Sequence, residues 1–132
     1  MGKKFFEKRR RRKRIEHREK MRAGLKVLLE LKWAPSVLVK ATGAEGMSKD
    51  EEEKLRGKLL EFIGEELKGL RVLRQLDKEQ KVKMSEWIKI VSAQKAILSN
   101  RKGVDWMKYK DYVNDEDILQ REYFEEVKEE SG

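Results

Sequence analysis

The residues of this chain whose types and spacing most clearly imply chemistry are cations. Lys8 to Arg14 is an unbroken run of seven (KRRRRKR), inside a segment from Lys3 to Arg22 that holds 12 Lys or Arg against 3 Glu. Crowding like charges costs self-repulsion in the free chain. Phosphates that release counterions on contact relieve it, so the run predicts a polyanionic partner. At about 100° per residue, seven helical positions circle the axis nearly twice and point cations in every direction. A helix resting on one side of a duplex needs only a stripe. Charge all round suits a segment lodged in a groove, or squeezed between nucleic acid and neighbouring protein.

The candidate nucleic-acid contacts are Lys3, Lys4, Lys8, Arg9, Arg10, Arg11, Arg12, Lys13, Arg14, Arg18, Lys20, Arg22, Lys26, Lys32 and Lys40. Reading bases requires a few Arg, Asn or Gln at defined offsets on a rigid helix. The arm has Arg throughout and no Asn or Gln, which predicts phosphate binding without sequence preference. Phe5 and Phe6 are the only aromatics within the basic segment, placed to wedge into a groove or meet a neighbouring subunit. Trp33, Trp87, Trp106, Tyr109, Tyr112 and Tyr123 fall at helical spacing or at a junction, and are expected in packing rather than on bases.

Catalytic chemistry is thinly represented. His17 is the only histidine and there is no cysteine, which removes thiolate metal sites, disulfides and Cys nucleophiles. His17 lies among cations and reads as a phosphate contact or plain surface. No Ser/His/Asp set, phosphate loop or metal-spaced histidine cluster can be assembled. Glu65 with Glu66, and Asp115 to Asp117, read as a solvated helix face or a helix start. A nuclease would need carboxylates converging from separate elements beside a basic group. The expectation is a protein that is not an enzyme and that uses no metal, cofactor or small-molecule substrate.

Charge is laid out along the chain. Residues 1–40 carry 15 basic and 4 acidic side chains, net +11; residues 111–132 carry 2 and 9, net −7. A chain so arranged can hold an anion at one end and a basic neighbour at the other. Charged residues make up 44% of the total while Asn, Gln and Cys are scarce, a composition that matches hyperthermophile proteins. The longest purely apolar runs, Val27–Leu29 and Val37–Val39, are three residues, so no membrane span or signal-peptide core is expected. A polybasic segment can also adsorb to lipid, but Arg dominance favours bidentate phosphate contacts.

The elements that must position these residues read as all-α: a basic amino-terminal helical arm followed by an antiparallel helical bundle. With one proline and no hairpin signals, strands have little support. A first helix is expected from about Lys4 to Trp33, with Leu25, Val27, Leu28, Leu29 and Leu31 on its apolar back. Its seven adjacent cations are expected to oppose helix formation until phosphates neutralise them. Pro35 breaks it, starting a short helix to Thr42. Gly43 and Gly46 make a loop. Ser48 with Glu51 forms a capping box for the next helix, which carries Leu55, Leu59, Phe62 or Ile63, Leu67, Leu70, Leu73 and Leu76. Asp77 with Gln80 reads as another cap, opening a helix with Val82, Met84, Trp87, Ile88, Val91, Ile97 and Leu98 that ends in Arg101, Lys102 and Gly103. A last helix is expected from Asn114 or Asp115, using Ile118, Leu119, Tyr123, Phe124 and Val127. Domain organisation follows: residues 1–34 as the nucleic-acid-binding arm, and 35–132 as the bundle with its acidic tail.

In organisation the chain resembles the major coat proteins of filamentous double-stranded DNA viruses of hyperthermophilic archaea. The resemblance rests on the arm bearing Lys8 to Arg14, the Pro35 break, the capped bundle from Ser48 and the thermophilic composition. It implies a nucleocapsid subunit present in many copies in the virion, assembled in the host cytoplasm, with double-stranded DNA enclosed by paired arms. Its partners would be further copies or a related second coat protein. The combined reading is a structural nucleoprotein that condenses double-stranded DNA without sequence specificity. The alternatives are a DNA-recognition factor, such as a packaging-motor subunit or plasmid regulator, with Leu25 to Thr42 as a helix-turn-helix, and an arginine-rich RNA-binding protein.

Overall fold

A computed structural model describes the backbone of residues 2–42 and 47–131 and the side chains of residues 8–33 and 47–129. The described residues are all-α: α1 (Gly2–Thr42), α2 (Lys49–Leu76), α3 (Lys81–Leu98) and α4 (Trp106–Ser131), with a single 3-10 turn, Lys78–Gln80, between α2 and α3. Each helix packs antiparallel on the next, and α1 meets α4 more lightly to close the bundle. Among these residues no helix is long and apolar enough to cross a membrane.

Ser48 caps α2 as its sequence predicts, its Oγ accepting from the Glu51 N–H at 3.2 Å. The inner face of α2 is Leu59, Ile63, Leu67, Leu70 and Leu73. Ile63 takes the core position and Phe62 the flank. Met84, Trp87, Val91 and Leu98 face them from α3, and Trp106, Tyr109, Val113, Tyr123 and Val127 from α4. The rings of Trp87, Tyr123 and Phe124 meet edge to face with centroids 5.2 to 6.5 Å apart, a geometry that adds to the area they bury.

Several expected boundaries move. Helix α1 does not break at Pro35 but passes through it as one helix of 41 residues. Proline removes one backbone hydrogen bond and crowds the preceding turn, at about 3 kcal/mol; a helix anchored in the core by Leu25, Leu29 and Lys32 carries this. The expected division at residue 34 therefore falls inside α1. The cationic run is also helical without phosphate. Lys and Arg are good helix formers, and the run extends a helix already nucleated in the bundle, so the costly first turn is already in place.

Asp77 is not a side-chain cap for α3; it turns into the core. Helix α3 stops at Leu98, and the following turn closes with Gly103 at φ 129°, a left-handed conformation that suits glycine. Helix α4 begins at Trp106, well before Asn114, because Asp105 caps it: its Oδ1 accepts from Lys108 N–H at 3.2 Å. That start places Trp106, Tyr109 and Val113 on the inner face. Val27, Leu31, Val82 and Ile118, expected in the core, are instead 56 to 76% exposed. They lie out of phase with the stripe that each helix buries.

Candidate nucleic-acid interface

Helix α1 has two halves of different character. From Arg22 its buried residues, Arg22, Leu25, Leu29 and Lys32, recur at spacings of three and four and lock it into the bundle. Every side chain from Lys8 to His17 is exposed. Arg18 is the first to be partly covered, beside Leu76 at the end of α2. The helix before Ile15 thus projects past the bundle by about 20 Å at 1.5 Å per residue. All seven cations of Lys8–Arg14 stand on this projection, joined by Lys20 and Lys26 further along the outer surface. Lys3, Lys4 and Lys40 lie in α1 with side chains outside the described residues.

Two expected contacts are corrected by the packing. Arg22, 8% exposed, donates from Nε to the Tyr123 hydroxyl at 2.9 Å and pairs through its terminal nitrogen with Asp77. Tyr123 in turn donates to Asp77 at 3.1 Å, and the guanidinium lies 5.7 Å from the Tyr123 ring centre. Burial would lower the Arg22 pKa; the hydrogen bond to Asp77, with the charges and further hydrogen bond that Tyr123 and Asp77 supply, together outweigh it and raise the pKa. A guanidinium satisfied in this way is not available to phosphate.

Lys32, 3% exposed, is deeper still. Its Nζ donates to Glu66 at 2.5 Å, Glu116 at 2.7 Å and Gln94 Oε1 at 2.9 Å, one group from each of the other three helices. Glu116 also accepts from Trp87 Nε1 at 2.9 Å and from Gln94 Nε2 at 2.8 Å. Two carboxylates and one ammonium would leave a dry core with a net negative charge, so one proton is retained. Burial, and then the charge of Glu116, push Glu66 well above the ordinary carboxylate range. Burial also disfavours the Glu116 carboxylate, but the charge of Lys32 with hydrogen bonds from Glu66, Lys32 and Trp87 holds it down at about 2. For Lys32, the charges of Glu116 and Glu66 more than offset burial and raise its pKa. The layer is a neutral set: ammonium, carboxylate and protonated carboxyl.

Glu66 and Glu116 are thus not the solvated-face residues their neighbours suggested. They converge from separate helices beside a lysine, the arrangement that catalysis on a phosphodiester would need, yet with exposures of 0, 1 and 3% for Glu66, Glu116 and Lys32 they have no opening to solvent. Among the described residues no group of three His, Asp or Glu could hold a metal ion. The indole N–H groups of all three tryptophans are also engaged inside the bundle: Trp33 with Gln120, Trp87 with Glu116 and Trp106 with Glu52, at 2.8 to 2.9 Å. Trp87 and Trp106 are buried, whereas Trp33 is half-buried and borders a groove with Lys26, Arg121 and Phe124. Phe5 and Phe6 lie outside the described side chains.

The buried polar residues carry a signal in the sequence. Glu66 and Asp77 stand in the series 59, 63, 66, 70, 73, 77, Gln94 in 84, 87, 91, 94, 98, and Lys32 in 22, 25, 29, 32, each in phase with the apolar stripe of its helix. Comparison with protein-family models, curated proteins and solved structures finds no match to this chain.

Proposed function

We propose that the chain is a structural nucleoprotein that binds and condenses double-stranded DNA through its projecting cationic arm, without reading sequence, as the coat subunit of a virion. The observation that carries this reading is the exposure of seven consecutive cations on a helix whose other half is locked into a bundle. That arm is a rigid polycation on a folded handle. At 3.4 Å per base pair, about 20 Å of it spans roughly six base pairs. Its lack of Asn and Gln leaves phosphates, rather than base edges, as its natural contacts. The helix-turn-helix alternative needs a turn near Pro35, where α1 is continuous.

The test is binding to duplex DNA across a salt series, with electron microscopy of the same mixtures. For dilute, unassembled subunits with seven neutralised phosphates, log K against log salt should fall with a slope of about −6, near −0.9 per phosphate. Long duplex DNA should be coated into filaments of regular width. A preference of more than about a thousandfold for one sequence would replace this reading with a recognition factor. Tighter binding to RNA than to duplex DNA at matched salt would replace it with an RNA-binding protein.

A further inference from the structure

The outward face of α4 carries Asp111, Asp115, Ile118, Glu122, Glu125 and Glu129, at spacings of four and three, and all six are exposed. It lies roughly opposite the buried series Tyr109, Val113, Glu116, Tyr123 and Val127. Glu122 has a neighbour in Lys83 at 3.6 Å. The rest of the face has no helix packed on it. One stripe of the arm, Lys8, Arg11 and Ile15, has the matching pattern: two exposed cations and an isoleucine 46% exposed, with Arg11 and Ile15 also bordering a groove beside Leu76 of their own chain.

The two faces fit in one register. Running antiparallel, Lys8 meets Glu125, Arg11 meets Glu122 and Ile15 meets Ile118, itself 58% exposed, with spacings of three and four on both sides. A parallel alignment on the same spacing sets Ile15 against Glu122 or Glu129. It would bury an apolar side chain against a charge, so the isoleucines select the antiparallel one.

The chain's own arm cannot make this contact. Helix α1 is unbroken, and Arg22, Leu25, Leu29 and Lys32 fix its carboxy-terminal half on the inner side of α4. Reaching the outward side would require breaking both the helix and the bundle. We propose that the arm of one copy docks antiparallel on the outward face of α4 in a second copy, through Lys8, Arg11 and Ile15 against Glu125, Glu122 and Ile118. The contact joins two different surfaces, so repetition produces a ring where the rotation between copies closes and an open chain of subunits where it does not. Two helical turns of exposed ion pairs make a weak, salt-sensitive joint, which gains strength only when many copies are aligned. It also accounts for charge on every side of the arm. With one stripe on a neighbour, Arg9, Arg10 and Lys13 point away from it toward phosphate.

The inference does not depend on nucleic acid and is tested without it, so its failure and that of the DNA-binding reading are separable. The native chain has no cysteine. An Ile15→Cys protein, mixed with a tagged Ile118→Cys protein at low salt and oxidised, should yield the mixed disulfide at least tenfold faster than either homodimer, and that excess should vanish at high salt. Predominance of Ile15→Cys homodimers would mean that arms pair with each other, and absence of an excess of mixed product would mean that no such docking occurs; either overturns the proposal. Adding Glu122→Lys and Glu125→Lys to the Ile118→Cys protein should suppress the mixed product at least tenfold. Adding Lys8→Glu and Arg11→Glu to the Ile15→Cys protein should then restore it. Thermal melting confirms that each variant is folded, and failure of the exchange to restore the crosslink overturns the assigned register.

Discussion

Lys32 Nζ on α1 lies 2.7 Å from Glu116 Oε1 on α4, and neither side chain is more than 4% exposed. A cation from the basic half of the sequence is therefore committed to the core, where Glu66, Gln94 and Trp87 complete its surroundings. A buried ion pair adds little over an apolar replacement of the whole set, but removing one partner is severe.

Lys32→Met should destabilise the fold by about 3 to 5 kcal/mol, because Glu116 is left without its counter-charge in a dry core. Its affinity for DNA per folded molecule, and the salt slope of binding, should be unchanged. Lys26→Met, at an exposed position of the same helix, should leave stability within about 0.5 kcal/mol. Chemical denaturation and binding titrations on the two variants measure both quantities. Equal stabilities would show that Lys32 is solvated.

Glu66→Gln should reveal the retained proton. Folded Glu66 keeps its proton whereas the unfolded chain releases it near pH 4.3, so its contribution is complete below that pH and is lost as pH rises toward its raised folded value. Glutamine keeps an acceptor for Lys32 and a donor for Glu116 without a proton to lose. The variant should match the native chain near pH 4 and then gain on it by about 1.4 kcal/mol per pH unit, until folded Glu66 itself titrates. Glu116 acts in the opposite sense: its contribution is complete above the ordinary carboxylate range and is lost as pH falls toward about 2. Parallel stability curves for the two proteins between pH 4 and 8 would show that Glu66 is ionised.

Truncation should separate two segments of α1. Removing residues 2–14 takes away the projecting backbone and the exposed side chains of Lys8–Arg14, so stability should hold while DNA binding collapses. Removing residues 2–24 also removes Arg22, leaving Asp77 and Tyr123 buried without the guanidinium that joins them. That deletion should cost about 3 to 5 kcal/mol. Asp77→Ala should cost a similar amount by exposing the same dependence from the other side. Thermal melting of the three variants distinguishes the boundary at Arg22 from one at residue 34.

In dilute, unassembled subunits, replacing Arg9, Arg10, Arg11 and Arg12 by Ala should flatten the salt slope of DNA binding by about 3 to 4, close to 0.9 for each lost phosphate contact. The circular dichroism of the bundle should not change. A slope that stays constant would move phosphate binding away from the arm.

The sequence made the helical class, the Ser48 cap and the stripe from Leu59 to Leu73 legible because each follows from local spacing and cap chemistry. Proline at 35 misled, since its local preference was outweighed by the continuity of a helix anchored in the core just before it. Arg22 and Lys32 misled for a different reason. In composition they belong to the cationic segment, and only their phase with Leu25 and Leu29 marks them as inward. The same phase marks Glu66, Asp77 and Gln94. Which carboxylate meets which cation depends on how four helices are stacked, and a single strand of text does not contain that stacking.

The unbroken passage of α1 from arm to core also has a mechanical consequence. The two polar layers grip this rod at points about 15 Å apart, and its amino-terminal end extends about 30 Å beyond the outer one. A swing of 10° at that grip would carry the tip through only about 5 Å, yet it would shear both layers at once. The arm therefore follows a curved or twisted polyanion only by turning the whole subunit with it. Pitch and bend along the gripped strand would be written outward as the angles between successive bundles.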